Sequence, residues 1–330
     1  MRELKPFEEY LIHEFVEDYQ DGLMDRRNML LRIVHITGGI ASAATVLNAL
    51  GVTFAAESAR AQEATPSPTP PKSPLSVAQD DERIVWAKIP FVNGDKTIHG
   101  YESRPKPPPP SQAPATPGAT PVAGGLPVVL VVHENRGLTD HIKDVTRRWA
   151  VEGYVGFAVD LLSREGSTDN VKDQSQIPSI LSGADPNQHV SDFKAAIEHY
   201  RYDPTVDLNK IGITGFCFGG GITWLAAEQI AELKAAVPWY GPAPPLDQVP
   251  NIKSAVFAIY SDDPNDFANN GRDKLKAALD AAGVVNEFKV YPGTQHAFNN
   301  DTSPRYNKEQ ALAAWKDATA WMGKYVKGSS

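Results

Sequence analysis

Lys210-Ile211-Gly212-Ile213-Thr214-Gly215-Phe216-Cys217-Phe218-Gly219-Gly220-Gly221-Ile222-Thr223-Trp224 decides how this chain is read. A short apolar run, Ile211 to Thr214, ends in the pattern Gly-x-Cys-x-Gly, and a helix-compatible run of apolar and alanine residues follows. That is the spacing of a nucleophile on a sharp strand-to-helix turn, with cysteine where serine is usual. The glycines have a physical task. The nucleophile sits in strained backbone, and only residues without a β-carbon let strand and helix approach that closely. The helix that follows aims its N-terminal amides at the sulfur, which favours a thiolate and any oxyanion formed there. The competing reading is a glycine-rich turn in a nucleotide-binding sheet with Cys217 an ordinary buried thiol, but phosphate-binding fingerprints have other spacings.

Outward from this turn, the mature chain alternates strands and helices. Leu126 to Val132 is a near-continuous apolar run, as a strand buried on both faces requires. Helical spacing follows over His141–Glu152, then a strand at Tyr154–Val159, an irregular polar stretch over Leu161–Gly183, and an amphipathic segment at Val190–Tyr200. Beyond the elbow and its helix come strands at Ala235–Trp239, Ala255–Tyr260 and Asn286–Tyr291, with helices at about Gly271–Ala282 and up to about Tyr325. Ahead of all these, Arg83–Pro90 and Lys96–Tyr101 read as a hairpin around Asn93-Gly94-Asp95. This order predicts an α/β-hydrolase fold: a doubly wound, mostly parallel sheet with helices on both faces and its site at the carboxyl ends of the strands.

Three other strand ends carry reactive side chains. Pro292-Gly293-Thr294-Gln295-His296 follows the last strand, and Ser261-Asp262-Asp263-Pro264-Asn265-Asp266 follows the one before. The chain order nucleophile, acid, histidine is the one this fold uses. His296 would take the thiol proton while an aspartate holds the imidazole's tautomer. After Val132, His133-Glu134-Asn135-Arg136-Gly137 lies beside the elbow, so the amide of Asn135 joins that of Phe218 as an expected oxyanion hole. Glu134 comes within reach of Cys217, although pairing with Arg136 or capping the helix at His141 would account for it equally. Trp224, Trp239, Tyr240 and Phe298 stand near strand ends, as acyl-pocket lining or as core.

With the motifs H-E-N-R-G, G-F-C-F-G-G and Y-P-G-T-Q-H-A-F in view, residues 83–328 resemble the dienelactone hydrolase (carboxymethylenebutenolidase) family. The resemblance implies Cys217 as nucleophile, His296 as base, an aspartate as its partner, and Glu134 in contact with the resting thiol. It implies attack on a lactone or ester carbonyl, an acyl-enzyme released by water, and neither metal nor organic cofactor. Two departures stand out. The loop after Tyr260 is one residue longer than the family's, so Asp263 is the first choice for the acid and Asp266 the alternative. Where the family places a substrate-binding arginine, this chain has Asn300; Arg305, Arg136 and Arg164 are candidates to replace it.

Composition bounds the rest. The chain has 330 residues, 42% hydrophobic, with a formal charge of −8, which leaves no basic footprint for nucleic acid. One cysteine excludes an internal disulfide. Scattered histidines at 133, 189, 199 and 296 have no metal-ligand spacing. Residues 1–61 read as a twin-arginine-type signal region: a basic Arg26-Arg27, a weakly apolar run from Ile33 to Ala56, and Ala59-Arg60-Ala61 for cleavage. A membrane anchor is the alternative, but His35, Asn48 and the glycines oppose a stable span after processing. The expected partners are therefore the twin-arginine export machinery and a small ester or lactone, and the expected location is the periplasm or another exported compartment. Residues 62–82 form a Pro/Ser/Thr-rich linker, and 83–330 the hydrolase domain with a Pro-rich surface loop at 105–121. The first sixty residues are expected to lie outside the core, and the acidic segment before the arginines has no role in this reading. Other acyl groups, acyl transfer, and a non-catalytic binding protein on a hydrolase fold are the alternatives.

Overall fold

A computed structural model describes residues 3–50, 52, 73–107 and 125–328. The cleavage site at Ala61, most of the linker and most of the Pro-rich loop lie outside the described residues. The sheet has eight strands in the order β1-β2-β4-β3-β5-β6-β7-β8. These are β1 (Ile84–Asn93), β2 (Lys96–Pro105), β3 (Leu126–Val132), β4 (Val155–Asp160), β5 (Val206–Phe216), β6 (Leu233–Trp239), β7 (Ala255–Ser261) and β8 (Asn286–Tyr291). β1 and β2 form a hairpin whose two-residue turn uses Gly94 at φ +62°. β2 meets β4 antiparallel, and every later pairing is parallel.

The central strands are buried along their whole length: β3, β4 and β7 have apolar residues on both sides because helices cover both faces. Those helices are α4 (Asp140–Val151), α5 (Ile177–Gly183), α6 (Pro186–Tyr200), α7 (Phe218–Gln229), α8 (Arg272–Ala281) and α9 (Lys308–Met322). α5 falls inside the stretch read as irregular. Pro178 in its first turn and Ile177 and Leu181 on its buried side account for it, too short a pattern to register as periodic. α4 and α9 meet through Trp149 and Trp315, whose ring centroids are 4.7 Å apart.

The expectation that the first sixty residues stand apart from the core is corrected. They form α1 (Pro6–Gln20), α2 (Arg26–Thr37) and α3 (Ile40–Ala49). α1 starts on Pro6 with the Glu8 carboxylate accepting the Lys5 N–H at 2.9 Å, so its first turn is well specified. Phe7, Tyr10, Leu11 and Phe15 recur at helical spacing and are buried in the main core. The acidic residues between them hid this face. α2 opens directly after Asp25, whose side chain caps Asn28 N at 2.9 Å, so Arg26 and Arg27 lie in its first turn. No single described helix is long and apolar enough to cross a membrane; α2 and α3 meet that measure by length and composition only as a pair, bent by 107°.

The start of α7 passes close to the end of β6. A β-carbon on Gly220 would lie 2.5 Å from the Trp239 carbonyl oxygen and 2.8 Å from Gly241 Cα, both backbone atoms that cannot yield cheaply. Gly220→Ala is therefore expected to destabilise the fold by about 1–3 kcal/mol, the range of an overpacked core. Thermal unfolding followed by circular dichroism checks this; an unchanged midpoint would show that the helix can retreat at no cost.

Candidate active site

The strain predicted at the elbow is present. Cys217 has φ +58° and ψ −123°, a conformation L-residues avoid, and it is held there from both sides. Its amide donates to the Trp239 carbonyl at 3.1 Å, and its carbonyl receives the amides of Gly220 and Gly221 at 2.8 and 3.3 Å. Cys217 thus caps α7, and the amide of Phe218, in the helix's first position, has no carbonyl partner within the helix.

His296 comes to the sulfur from the loop after β8. Its Nδ1 lies 3.0 Å from Asp266 Oδ1, and the two side chains are almost wholly buried. Asp266 Oδ1 also accepts the Ala268 amide at 3.0 Å, and its Oδ2 accepts the Ser261 hydroxyl at 2.6 Å. The first choice for the acid, Asp263, is placed elsewhere: its carboxylate turns back to accept the Asn265 amide at 2.9 Å. Asp262 is likewise spent on the Gly293 and Thr294 amides, at 2.7 and 2.9 Å. The longer loop makes an Asx turn at Asp263 and delivers the carboxylate three residues later, at the start of a short 3-10 turn.

Glu134 does not receive the thiol's hydrogen bond. It is buried, and its Oε2 accepts the Asn300 amide at 2.8 Å. The thiol's carboxylate partner comes instead from α1: Cys217 Sγ donates to Glu14 Oε2 at 3.1 Å. Glu14 Oε1 accepts the side-chain amide of Asn135 at 2.8 Å, in the loop expected to supply an oxyanion amide. Tyr10, one turn earlier on α1, places its hydroxyl 3.2 Å from His296 Nε2. Sequence reasoning missed both residues. The signal that locates them is the spacing of Phe7, Tyr10, Leu11, Glu14 and Phe15 on one helical face.

The other candidates separate in the same way. Arg164 is held by Asp192 at 2.6 and 2.7 Å, and Arg136 is exposed. Arg305 is buried and pairs with Asp18 of α1 at 2.8 Å and with Asp21, just past its end, at 2.9 Å. Trp224 and Trp239 are core, the latter donating to Thr214 Oγ1 at 3.0 Å. Tyr240 and Phe298 are closer to the chemistry. The Tyr240 ring stands edge-on to His296 at 5.0 Å, and its buried hydroxyl has no partner among the described residues. His133 is structural: its Nδ1 meets the Glu134 carbonyl at 2.7 Å and its Nε2 receives the Leu161 amide at 3.2 Å.

Burial sets the charges. It pushes the Cys217 thiol up to about 12, with the nearby Glu14 carboxylate acting the same way. Burial also raises Glu14. Burial works against a charged His296, but the charge and hydrogen bond of Asp266 outweigh it and hold the imidazole well above its ordinary value. Burial likewise opposes the Asp266 carboxylate, yet His296, Ser261 and the Ala268 amide keep it below the usual aspartate range. A carboxylate oxygen of Glu14, the sulfur and a ring nitrogen of His296 lie within 4.8 Å of one another. They are zinc-type donors, but a metal would need the thiol and imidazole deprotonated, against both shifts.

The pair has a defined sign with pH. His296, raised when folded, stabilises the fold below the ordinary histidine range and loses that contribution as pH rises through its folded value. Asp266→Asn removes the charge that does this, so the His296 ring is expected to titrate at lower pH in that variant and at the unaltered value in Asp263→Asn. Proton NMR of the ring decides it; an equal fall in both variants would deny Asp266 its place.

The sequence pattern of the Dienelactone hydrolase family matches residues 115–326, well over half of the chain. A protein of Escherichia coli (strain K12), provisionally named a carboxymethylenebutenolidase, is 33% identical over 272 residues, 78% of this chain and 94% of that one. A provisionally so-named protein of Methylorubrum extorquens is 37% identical over 219 residues, 63% of this chain and 75% of its own. A crystal structure from Klebsiella pneumoniae, provisionally named a dienelactone hydrolase, superposes with TM-score 0.64 at 30% identity, covering 73% of this chain and 99% of the other. Fold, motifs and relatives agree: the chain belongs to the dienelactone hydrolase family and is an α/β-hydrolase-fold enzyme of the carboxylic ester hydrolase class.

Proposed function

We propose that the protein is an exported cysteine hydrolase that cleaves a small ester or lactone through Cys217, His296 and Asp266. The observation that carries this reading is the strained Cys217 at the head of α7, within reach of a histidine whose far nitrogen is fixed by a buried aspartate. In this mechanism His296 Nε2 takes the thiol proton as the sulfur attacks the carbonyl carbon. Charge moves to the carbonyl oxygen, where the amides of Phe218 and Asn135 are proposed to receive it. The tetrahedral adduct collapses, the C–O bond to the leaving alkoxide breaks, and His296 returns the proton to that oxygen. A water, deprotonated by the same nitrogen, then attacks the thioester and releases the acid, and the thiol recovers its proton. For a lactone the alkoxide stays tethered and the product is a hydroxy acid. Asp266 stays ionised throughout, holding the tautomer and balancing the imidazolium.

A different acyl group within the same reaction class is the second reading, favoured by Asn300. It binds Glu134 and offers no cation at position 300 for a substrate carboxylate. Export through the twin-arginine route to the periplasm or an equivalent compartment remains part of the proposal, resting on Arg26-Arg27, the apolar run and Ala59-Arg60-Ala61. A lone free thiol suits a domain that folds before it reaches an oxidising compartment.

Hydrolysis of a chromogenic acetate ester and of a lactone panel, with intact-mass detection of an acyl adduct, tests the chemistry. Cys217→Ala and His296→Ala are expected to lose activity by ~10³-fold or more, the order seen when a member of a catalytic triad is removed. Full activity in Cys217→Ala would exclude the thiol as nucleophile. Because Glu14 occupies the thiol, the panel is run on Glu14→Ala beside the natural chain; inertness of both on every substrate would end the hydrolase reading of this site.

A further inference from the structure

A hydrolase has to admit substrate to its nucleophile, yet Cys217 and His296 are each only 2% exposed. The cover is α1. It engages three parts of the proposed machinery together: Glu14 Oε2 holds the thiol at 3.1 Å, Glu14 Oε1 holds the side chain of Asn135 at 2.8 Å, and the Tyr10 hydroxyl meets His296 Nε2 at 3.2 Å. That nitrogen is the one that must accept the thiol proton, and the Glu14 carboxyl occupies space beside the sulfur that an acyl group needs. We propose that α1 is a built-in inhibitory cover, with Glu14 seated where the substrate's acyl oxygens belong, and that activity requires its withdrawal. The inference rests on the hydrolase reading of the site.

The attachment of α1 is of a kind that can be undone. It joins no strand of the sheet. Phe7 packs on Phe218 with ring centroids 5.0 Å apart, His13 stacks on Phe267 at 4.0 Å, and Leu11 and Phe15 are fully buried. Against these contacts stands the burial of several like charges. Glu14, Glu17 and Asp18 are buried together on α1, and Arg305 pairs with Glu17, Asp18 and Asp21. An apolar face this acidic is a costly way to build a permanent core, since each buried carboxylate must be compensated. It is an apt way to occupy a site built around a proton-donating thiol and a histidine. The connection onward is also permissive: residues 62–72, QEATPSPTPPK, contain no core-forming side chain. On the export reading, processing after Ala61 would remove α1, α2 and α3 together, so the chain would be latent before export and active after it.

The sole cysteine makes the test unambiguous, because any thiol modification reports Cys217. Alkylation by iodoacetamide and hydrolysis of the acetate ester are measured in parallel on the full chain, on Glu14→Ala, and on the double variant Leu11→Asp, Phe15→Asp, which breaks the apolar face of α1. Both rates are expected to rise at least ~10-fold in the two variants, as a predominantly covered population becomes uncovered. Equal alkylation in the natural chain and the variants would overturn the cover. Loss of hydrolysis in Glu14→Ala, from a natural chain that is active, would overturn it in favour of Glu14 as an aid to the thiol. Faster alkylation without hydrolysis of any ester or lactone would keep the cover and reject the hydrolase reading. Should the double variant fail to fold by circular dichroism, Glu14→Ala and Tyr10→Phe, which leave the apolar face intact, decide the matter by the same two rates.

Discussion

The close approach of α7 to the end of β5 is the constraint on which the rest of the structure depends. It forces Cys217 to φ +58°, lifts the sulfur off the sheet and turns the first amides of the helix toward it. Gly215 permits that approach, and glycine at 219, 220 and 241 lets α7 pass the ends of β3 and β6, since a β-carbon on any of them would meet backbone. The neighbouring strands then have no freedom in what they present. β3 must end in the loop carrying Glu134 and Asn135, β7 in the loop carrying Asp266, and the chain after β8 must return with His296. The site is a property of the sheet order, and each side chain is a local solution to being at that strand end.

Electrostatics make this site more tightly determined than packing alone would. Four ionisable groups, Glu14, Cys217, Asp266 and His296, are buried together, and a carboxylate among them would be costly without a partner. Asp266 and His296 satisfy each other, with Ser261 and the Ala268 amide completing the carboxylate. Glu14 and the thiol satisfy each other in turn, with Asn135 taking the second carboxylate oxygen. The result is a closed chain of proton donors and acceptors in which the sulfur keeps its proton. That arrangement differs from the one the family resemblance implies, where a carboxylate after β3 contacts the thiol. Here that carboxylate, Glu134, is drawn away by Asn300, which stands where an arginine was expected.

How much was legible depended on the range of the interaction involved. β3 and β7 lie where their apolar runs put them, because a strand buried on both faces is written in consecutive residues. The hairpin turn at Gly94 is a two-residue event and reads as easily. The acid of the proposed triad did not, since Asp262, Asp263 and Asp266 are all plausible partners for His296 until the backbone between them is traced. Two of the three are consumed by backbone amides, Asp263 by its own loop and Asp262 by the loop after β8, and only the course of the chain shows which. α1 was misread for a related reason: a face of Phe7, Tyr10, Leu11 and Phe15 interrupted by Glu14 and Asp18 looks polar unless something is known to receive those acids.

Pattern and punctuation in the sequence were sufficient for the α/β order of elements, the parallel sheet, the cysteine elbow and the identity of His296, since these rest on hydrophobic periodicity and on glycines that allow close backbone contact. Tertiary structure alone decided that Asp266 faces His296, that Glu134 turns to Asn300, and that the chain's first helix delivers Glu14 and Tyr10 to the thiol. The physical reason is common to all three. A buried charge is placed by its partner, and here the partners lie 30, 166 and 203 residues away along the chain, where no local pattern connects them.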